Sequence, residues 1–355
     1  MGSKTVMMLL IATVVINITA CNNNAATSPA AHIQSPAKPA PEADPPGVSM
    51  AEGFRPGSGL TAPLTGLPET RENSDRVIAV MVNNHSKARP QSGLDKADMV
   101  YELLEEGLIT RFMAFYQSEA PRVVGPVRSV RPYNVDISNG FDAIISHAGG
   151  SVEALGMLRS GGRSSDMDEI YSYPKAYWRD SSRKAPHNLY TSVEKLRRGA
   201  LKKGYKLDGT APAFPFMNET DQVQGQTAST ITVHYSKQNT AGYVYDPEKK
   251  LYMRWTAGKP HLDRETGKQL SAVNVLVVGA QHRIIDSEGR LEIDINGPGD
   301  GYLFQHGKVM KITWERRDGA IRAYRSGKEM PLYPGHTWVN VVPNQPTLTA
   351  HLLFH

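Results

Sequence analysis

A single cysteine among 355 residues, Cys21, limits what can hold this chain together. One thiol cannot supply an intramolecular disulfide framework, a cysteine zinc cluster or a CxxC redox pair. The folded part must therefore be stabilised by an apolar core. A hydrophobic content of 40% is sufficient for such a core, and the length allows about two domains.

The cysteine closes a hydrophobic leader. Lys4 precedes an apolar stretch over 6–16, which has the order and length of a secretory signal and is too short to span a bilayer comfortably. The sequence Ile18-Thr19-Ala20-Cys21 resembles the lipobox of bacterial lipoproteins, in which the cysteine is acylated. We expect residues 1–20 to be a signal peptide and Cys21 to carry lipid, palmitate included. An ordinary signal peptide with a chance cysteine is the alternative.

Residues 21–60 are predicted to be a tether. They are rich in Ala, Pro, Asn and Ser and carry few large apolar groups, so burial cannot offset the entropy of ordering them. Proline-rich segments favour polyproline II at about 3.1 Å per residue. We therefore expect a lipid-anchored protein on the extracytoplasmic face of the cell membrane, held off the bilayer by this segment.

The region 61–220 is predicted to fold as an N-terminal mixed α/β domain. Strands are predicted where apolar runs are bounded by polar turn residues, at 76–82, 100–104, 109–116 and 142–147. The run 100–104 fits a short helix equally well. Helices are predicted from the N-cap Ser151 to Leu158, and from about Ser192 to Lys203 after the capping-box sequence 191–194. The buried face of the second helix would consist of Val193, Leu196 and Ala200.

The region 230–355 is predicted to be a smaller, mostly antiparallel β domain, which makes the fold class α+β. It follows a polar stretch over 221–229, interpreted as a linker. Predicted strands are 242–245, 251–255, 273–278, 310–314 and 338–342. The first two form a hairpin-like pair, and Leu251, Met253 and Trp255 share one face of the second.

Several segments together resemble a known family. They are Pro63-Leu-Thr-Gly-Leu67, Val82-Asn-Asn-His85, Ala88-Arg-Pro-Gln-Ser-Gly93, Ile109-Thr-Arg-Phe112, Gly125-Pro-Val-Arg-Ser-Val-Arg-Pro132, His147-Ala-Gly-Gly-Ser151, 178–188 and Pro334-Gly-His-Thr-Trp338. In these the chain resembles the YerB-like lipoproteins of Gram-positive bacteria over nearly all of the mature sequence. The resemblance implies the lipoprotein leader, an N-terminal α/β domain and a β-rich C-terminal domain. It assigns no catalytic residue.

The richest candidate site is the polar run 179–187. It brings together a carboxylate, an imidazole and guanidinium groups, on Arg179, Asp180, Arg183 and His187. Loops of such mixed chemistry often form sites, although a solvated loop is an equal alternative.

A second candidate is His147, which a strand delivers into a Gly149-Gly150 turn before a helix. Backbone N–H groups there favour an anion, although a structural histidine is the stronger alternative. Arg128 and Arg131 offer guanidinium groups for a carboxylate or phosphate, and Pro132 restricts Arg131 to extended backbone. The nearest carboxylates in sequence are Glu102, Glu105 and Glu106.

Charge excludes some partners and suggests others. A net charge of +5 is too small for a dedicated nucleic-acid binder with a large basic face. Nine Lys or Arg against two acidic residues over 175–203 indicate either a solvated face or a surface for anionic wall polymer or lipid headgroups.

Three motif-like stretches do not carry the chemistry they imitate. Pro186 would cut short a helix bearing Ser181 and Lys184, the glycines at 301 and 307 have the wrong spacing for a phosphate loop, and 351–355 lacks the glutamate of a zinc protease. No metal and no cofactor is predicted.

Two functions remain as hypotheses. The first is a non-catalytic envelope module that binds an anionic or carbohydrate ligand, or an envelope protein. The second is a cell-wall glycan hydrolase or lytic transglycosylase, which needs two carboxyl groups about 5 to 9.5 Å apart across the scissile bond. Its carboxylate would be Glu102, Glu105, Glu106 or Asp180, assisted by His147 or His187.

Overall fold

A computed structural model describes residues 59–355, apart from 161–164, 219–220 and 238, together with Gly2. The predicted signal peptide, Cys21 and nearly all of the predicted tether lie outside the described residues. Within the described part, no helix combines the length and the apolar character needed to cross a membrane.

Sheet dominates the described residues, and three α-helices accompany it. The helices are α1 (Pro132–Gly140), α2 (Val152–Ser160) and α3 (Val193–Lys202). The strands of the first half are β1 (Ile78–Asn83), β2 (Met99–Leu104), β3 (Thr110–Tyr116), β4 (Ile144–His147), β5 (Ser165–Asp168), β6 (Tyr177–Arg179) and β7 (Leu189–Thr191). Those of the second half are β8 (Gln226–Thr227), β9 (Thr230–His234), β10 (Thr240–Asp246), β11 (Leu251–Thr256), β12 (Lys259–Pro260), β13 (Ser271–Ala272), β14 (Asn274–Ala280), β15 (His282–Ile284), β16 (Leu291–Ile293), β17 (Gly299–Gln305), β18 (Lys308–Arg317), β19 (Ala320–Arg325), β20 (Lys328–Glu329), β21 (Thr337–Pro343) and β22 (Leu352–Phe354).

One large sheet contains strands from both halves of the chain. Its order is β20-β19-β18-β17-β14-β21-β2-β3-β1-β4-β5, and β8 pairs with β18. The halves meet at β21, which pairs in parallel with β14 on one side and with β2 on the other. The prediction that the strand at 338–342 belongs to an antiparallel sheet is therefore wrong, because both of its neighbours run in its own direction.

The remaining strands form smaller sheets. A six-stranded sheet has the order β12-β11-β10-β9-β22, with β13 also on β11, while β15–β16 and β6–β7 are separate antiparallel pairs. The predicted hairpin at 242–255 is confirmed as β10–β11. On β11 the buried side chains are Tyr252 and Arg254, whereas Leu251, Met253 and Trp255 lie half-buried on the other face.

The strands of the first half arise where the apolar runs predict them. Every residue of β1, β2 and β3 is buried, which is typical of strands covered on both faces. The ambiguous run 100–104 is a strand, since it lies between β3 and β21.

Two helices begin close to their predicted N-caps, with one correction, and α2 extends to Ser160 beyond its predicted end at Leu158. Ser151 Oγ accepts from the N–H of Ala154 at the start of α2. The cap of α3 is Ser192, which accepts from Lys195, because the Thr191 hydroxyl donates instead to the carbonyl of Ala176. Val193, Leu196 and Ala200 form the buried face of α3, and Gly204 beyond its end has a φ of +80°.

The helix α1 is not among the sequence predictions. Pro132 is its first residue, Arg131 before it has extended backbone, and the side chain of Asn134 accepts from the N–H of Arg131. Proline at the first helical position is favourable because its missing N–H has no intrahelical partner there.

Strand directions bring several chain ends to one edge of the large sheet. β4 is parallel to β1, and β3 is antiparallel to both β1 and β2. The carboxyl ends of β1, β2 and β4 therefore lie beside the start of β3. We call this the carboxyl edge, and it holds the candidate site.

Candidate functional site

The site begins where β1 leaves the sheet at Asn83-Asn84-His85. The segment 124–127 runs beside it, since Val82 pairs with Val127, and the same segment continues to β7 through Val124 and Thr191. Arg128 directly follows Val127 in sequence, and His187 shortly precedes β7. Backbone pairing thus brings three distant segments together at the carboxyl edge.

Two histidines stack at this point, and their hydrogen bonds fix their tautomers. The rings of His85 and His187 lie 4.8 Å apart at 16°. The Lys87 N–H donates to His85 Nδ1 at 3.1 Å, and Asn83 Nδ2 lies 2.9 Å from His187 Nδ1. Asn83 Oδ1 accepts from the N–H of His85, so its Nδ2 is the donor to His187. In the neutral form both imidazoles therefore carry their proton on Nε2.

Several cationic side chains lie near His187. Burial lowers the pKa of His187, and His85, Arg128, Lys87 and Arg183 lower it further. We call these five residues the basic cluster. Lys87 is exposed and the other four are half-buried. Arg183 is held by the carbonyls of Ala88 and Pro90, each 2.6 Å away.

Arg128 is the least compensated member of the cluster. Its guanidinium has no hydrogen-bond or ion-pair partner among the described residues. Burial lowers the pKa of Arg128, the charge of Arg111 lowers it further, and Glu105 acts in the opposite direction. Such a group is stabilised by an added negative charge.

A buried ionic network lies under the cluster. Glu102 Oε1 accepts from Thr110 Oγ1 at 2.7 Å and from Asn84 Nδ2 at 3.1 Å, and its Oε2 lies 2.6 Å from Arg254. Glu102 and Arg254 are only 2% and 1% exposed. The Arg254 guanidinium also sits 4.2 Å from the centre of the Trp338 ring. Both carboxylate oxygens of Glu102 thus accept hydrogen bonds, and the carboxylate is buried away from solvent.

The turn 261–266 of the second half forms hydrogen bonds and an ion pair with the loops that contain Gln91 and Asp180. His261 Nε2 lies 2.8 Å from Gln91 Oε1, and the N–H of Arg264 donates to the Gln91 carbonyl at 2.7 Å. Arg264 also pairs with Asp180 at 2.6 Å and donates to the Tyr190 hydroxyl. Residues from both halves of the chain are therefore needed to form the site.

Glu105, Glu106 and Arg131 form a separate group. Arg111 lies 2.7 Å from Glu105, and Arg131 contacts both Glu105 and Glu106. Burial raises the pKa of Glu105, although the charges of Arg111 and Arg131 oppose it. Arg131 is therefore neutralised by acidic neighbours and is not free for an external anion.

His147 lies inside the protein rather than in a cleft. It is fully buried, its Nδ1 donates to the Gly149 carbonyl, and burial lowers its pKa. The Gly149 N–H is already taken by Asp168 Oδ1, which also accepts from Ile170. The anion position predicted at this turn is thus filled by the protein's own carboxylate.

The run 179–187 divides between several partners. Arg179 pairs with Glu169, and Asp180 is held by Ser182 and Arg264. Hydrogen bonds from Ser182 and then from Arg264 lower the pKa of Asp180 to about 2. Only Arg183 and His187 of this run join the basic cluster.

The wider basic stretch over 175–203 does not form one face of free cations. Arg197 approaches Asp75, Arg198 pairs with Glu194, and Lys203 pairs with Asp166.

The structure therefore brings together Arg128, Arg183 and His187. The other predicted candidates lie outside the basic cluster. Sequence reasoning missed His85, Lys87, Arg254 and His261. The available signal was the polar triplet Asn83-Asn84-His85, which directly follows a buried strand. Among the described residues, no three His, Cys, Asp or Glu side chains are grouped so as to hold a metal ion.

Comparison with known proteins gives matches along most of the chain. Residues 64–206 match the family model "Protein of unknown function (DUF3048) N-terminal domain", and residues 231–339 match its C-terminal counterpart. The chain is 44% identical over 289 residues to "Putative lipoprotein YerB" of Bacillus subtilis strain 168, covering 80% of this chain and 87% of that protein. It also matches the crystal structure of YerB from Bacillus subtilis with a TM-score of 0.76 and 42% identity, covering 83% of this chain and 99% of the other.

Proposed function

The chain belongs to the family of YerB-like lipoproteins, built from the DUF3048 N-terminal and C-terminal domains, and we propose from its basic cluster that it is a non-catalytic envelope module that binds an anionic ligand. The basic cluster is the proposed binding site. Its ligand would be a phosphate or carboxylate group, and anionic cell-wall polymer is the proposed source.

The proposed location follows from the leader. The relative described as a lipoprotein supports a protein anchored at the membrane surface. In this proposal Cys21 carries the lipid, and the segment up to residue 60 sets the distance between membrane and binding site. A ligand in the cell wall would lie within reach of such a tether.

Arg128 carries the anion-binding proposal. It is a half-buried cation without a hydrogen-bond or ion-pair partner among the described residues. Like His85, Lys87 and Arg183, it lies near enough to His187 to lower the pKa of that imidazole. Burying a charge without a partner is unfavourable, whereas a bound anion would compensate it. Guanidinium groups pair well with phosphate and carboxylate oxygens.

The histidine tautomers favour binding over catalysis. Since Nδ1 of His85 and of His187 accepts a hydrogen bond, each neutral ring offers Nε2–H as a donor. A donor suits an anion, while a general base needs an unshared electron pair directed at the substrate.

The carboxylates give little support to the glycan-hydrolase alternative. Glu102 is buried and saturated, Glu105 is 1% exposed at its side chain, and Asp180 is ion-paired. A glycosidase needs two carboxyl groups that both reach the substrate. We therefore propose binding as the activity.

The test is calorimetric titration of the full chain with inorganic phosphate at low ionic strength. We expect Arg128→Gln to weaken phosphate binding by about 10- to 100-fold, because a charge-assisted hydrogen bond contributes roughly 1.5–3 kcal/mol. The matched control is Arg325→Gln, which removes an exposed arginine of β19 and should leave the affinity unchanged. Equal affinity in the Arg128 variant, or no phosphate binding by the unmodified chain, would refute the proposal.

A further inference from the structure

A cavity lies away from the basic cluster, between α1, α2 and the β15–β16 hairpin. Its volume is about 620 Å³, within the range of about 300–1,000 Å³ typical of ligand sites. Its apolar lining is formed by Pro132, Tyr133, Met157, Ile285, Leu291, Ile293 and Ile295.

The floor of the cavity is preformed. Tyr133, Leu291, Ile293 and Ile295 are each less than 10% exposed. Neighbouring Ile284 and Ile285 on the hairpin are 65% and 43% exposed, so apolar surface continues outward from the floor. An occupant with aliphatic side chains would extend this core.

The walls of the cavity are acidic. The charged lining residues are Asp136, Glu153, Arg283, Glu292 and Asp294, and Arg283 is already paired with Glu292 across the hairpin. Asp136 and Glu153 have no hydrogen-bond or ion-pair partner in the described part of the chain. Burial raises the pKa of Asp136, with Arg316 acting in the opposite direction. The lining is thus short of positive charge.

The hairpin offers backbone as well as side chains. The pair β15–β16 is a two-stranded sheet, so the outer edge of β16 pairs with no further strand of the described chain. Along β16, Leu291 and Ile293 are buried and Glu292 is exposed. An extended peptide added to such an edge would present its side chains to both the apolar and the acidic surfaces.

We propose that this cavity docks a short extended segment of a partner protein, in which a basic side chain lies between aliphatic ones. Aliphatic groups would fill the floor, and the basic group would pair with Asp136 and Asp294. Charge complementarity excludes the ligand of the basic cluster from this surface, since an anion would meet carboxylates. The protein thus has two binding surfaces of opposite charge.

The probe is the fluorescein-labelled peptide Leu-Lys-Leu-Lys-Leu, titrated with the full chain and followed by fluorescence polarisation. We expect saturable binding that is at least about tenfold weaker in the double variant Asp136→Asn with Asp294→Asn, because two ion pairs are lost. The matched control Asp300→Asn removes an exposed carboxylate of β17 and should leave the affinity unchanged. Met157→Trp fills the cavity without changing charge and should also weaken peptide binding.

Several results would overturn the proposal. They are the absence of saturable peptide binding, equal weakening in the Asp300 variant, and unchanged binding in Met157→Trp. A fourth is that spermidine displaces the labelled peptide as well as the unlabelled peptide does, because spermidine has the charge without the aliphatic side chains. Phosphate affinity should be the same in the double variant and the unmodified chain. A failure here is therefore distinguishable from a failure of the anion-binding proposal.

Discussion

At the scale of single residues, Arg254 occupies a position of β11 that would ordinarily be apolar. Its charge is tolerated because Glu102, 152 residues earlier in the chain, pairs with it and the Trp338 ring covers its guanidinium. The desolvation of both charges is offset only while every partner is present.

We expect Arg254→Met to lower the free energy of unfolding by about 3–5 kcal/mol, because it leaves the buried Glu102 carboxylate without its counter-charge. Urea unfolding followed by circular dichroism measures the effect. The control Arg71→Met removes the surface pair with Asp75 and should change stability by less than about 1 kcal/mol. Equal effects of the two substitutions would contradict a structural role for the buried pair.

The burial of Arg254 could not be predicted from the sequence of β11 alone. Alternation correctly places Leu251, Met253 and Trp255 on one face of the strand, yet the buried residues are Tyr252 and Arg254 on the other face. Hydrophobicity favours the first set when the strand is considered alone. The choice depends on a glutamate in a distant strand, which local periodicity cannot reveal.

At the scale of elements, the backbone of helix α1 approaches the backbone of the β18–β19 turn closely at two glycines. A Cβ atom built on Gly140 would lie 2.1 Å from the carbonyl oxygen of Gly319, and one built on Gly319 would lie 2.0 Å from that of Gly140. Two glycines therefore allow a helix of the first half to approach a hairpin of the second half closely.

We expect Gly140→Ala to lower the free energy of unfolding by about 1–3 kcal/mol, because the added methyl group forces two backbones apart. Thermal unfolding provides the measurement. The control is Gly156→Ala in α2, where nothing lies within 4 Å of the added atom, so higher helix propensity should stabilise the protein by roughly 1 kcal/mol. A stabilising Gly140→Ala would show that the contact is loose.

Elements whose signals are local were predictable, and those defined by pairing were not. The apolar run of β1 and the Ser192 neighbourhood of α3 gave correct elements. Helix α1 was missed because Pro132 and Asn134 are weak signals without an amphipathic pattern around them. The parallel partners of β21 were missed because they lie in sequence far from it, and an apolar run carries no information on direction.

The same limit applies to the candidate site. Arg128, Arg183 and His187 were selected because their segments are polar and cationic. They lie close to His85 and Lys87 because the segment 124–127 pairs with both β1 and β7, and this pairing is visible only in the fold.

At the scale of the whole molecule, the predicted lipoprotein leader should determine where the protein is held. We expect Cys21→Ala either to release the protein into the medium or to leave it unprocessed, because no acyl chain can then be attached. Cell fractionation combined with metabolic labelling by a fatty-acid analogue distinguishes these forms from the anchored protein. Unchanged membrane retention of an unlabelled chain would contradict lipidation.

The position of β21 between β14 and β2 also has a consequence for biogenesis. This strand, at residues 337–343, lies between β14 and β2 in the large sheet, although residues 105–336 separate it from β2 in sequence. A chain that is synthesised from its N-terminus leaves one edge of β2 unpaired until residues 337–343 have been made. Chains from interrupted synthesis would therefore expose the unpaired edge of β2, which is prone to aggregation. The large sheet would be completed late in folding, in one cooperative step.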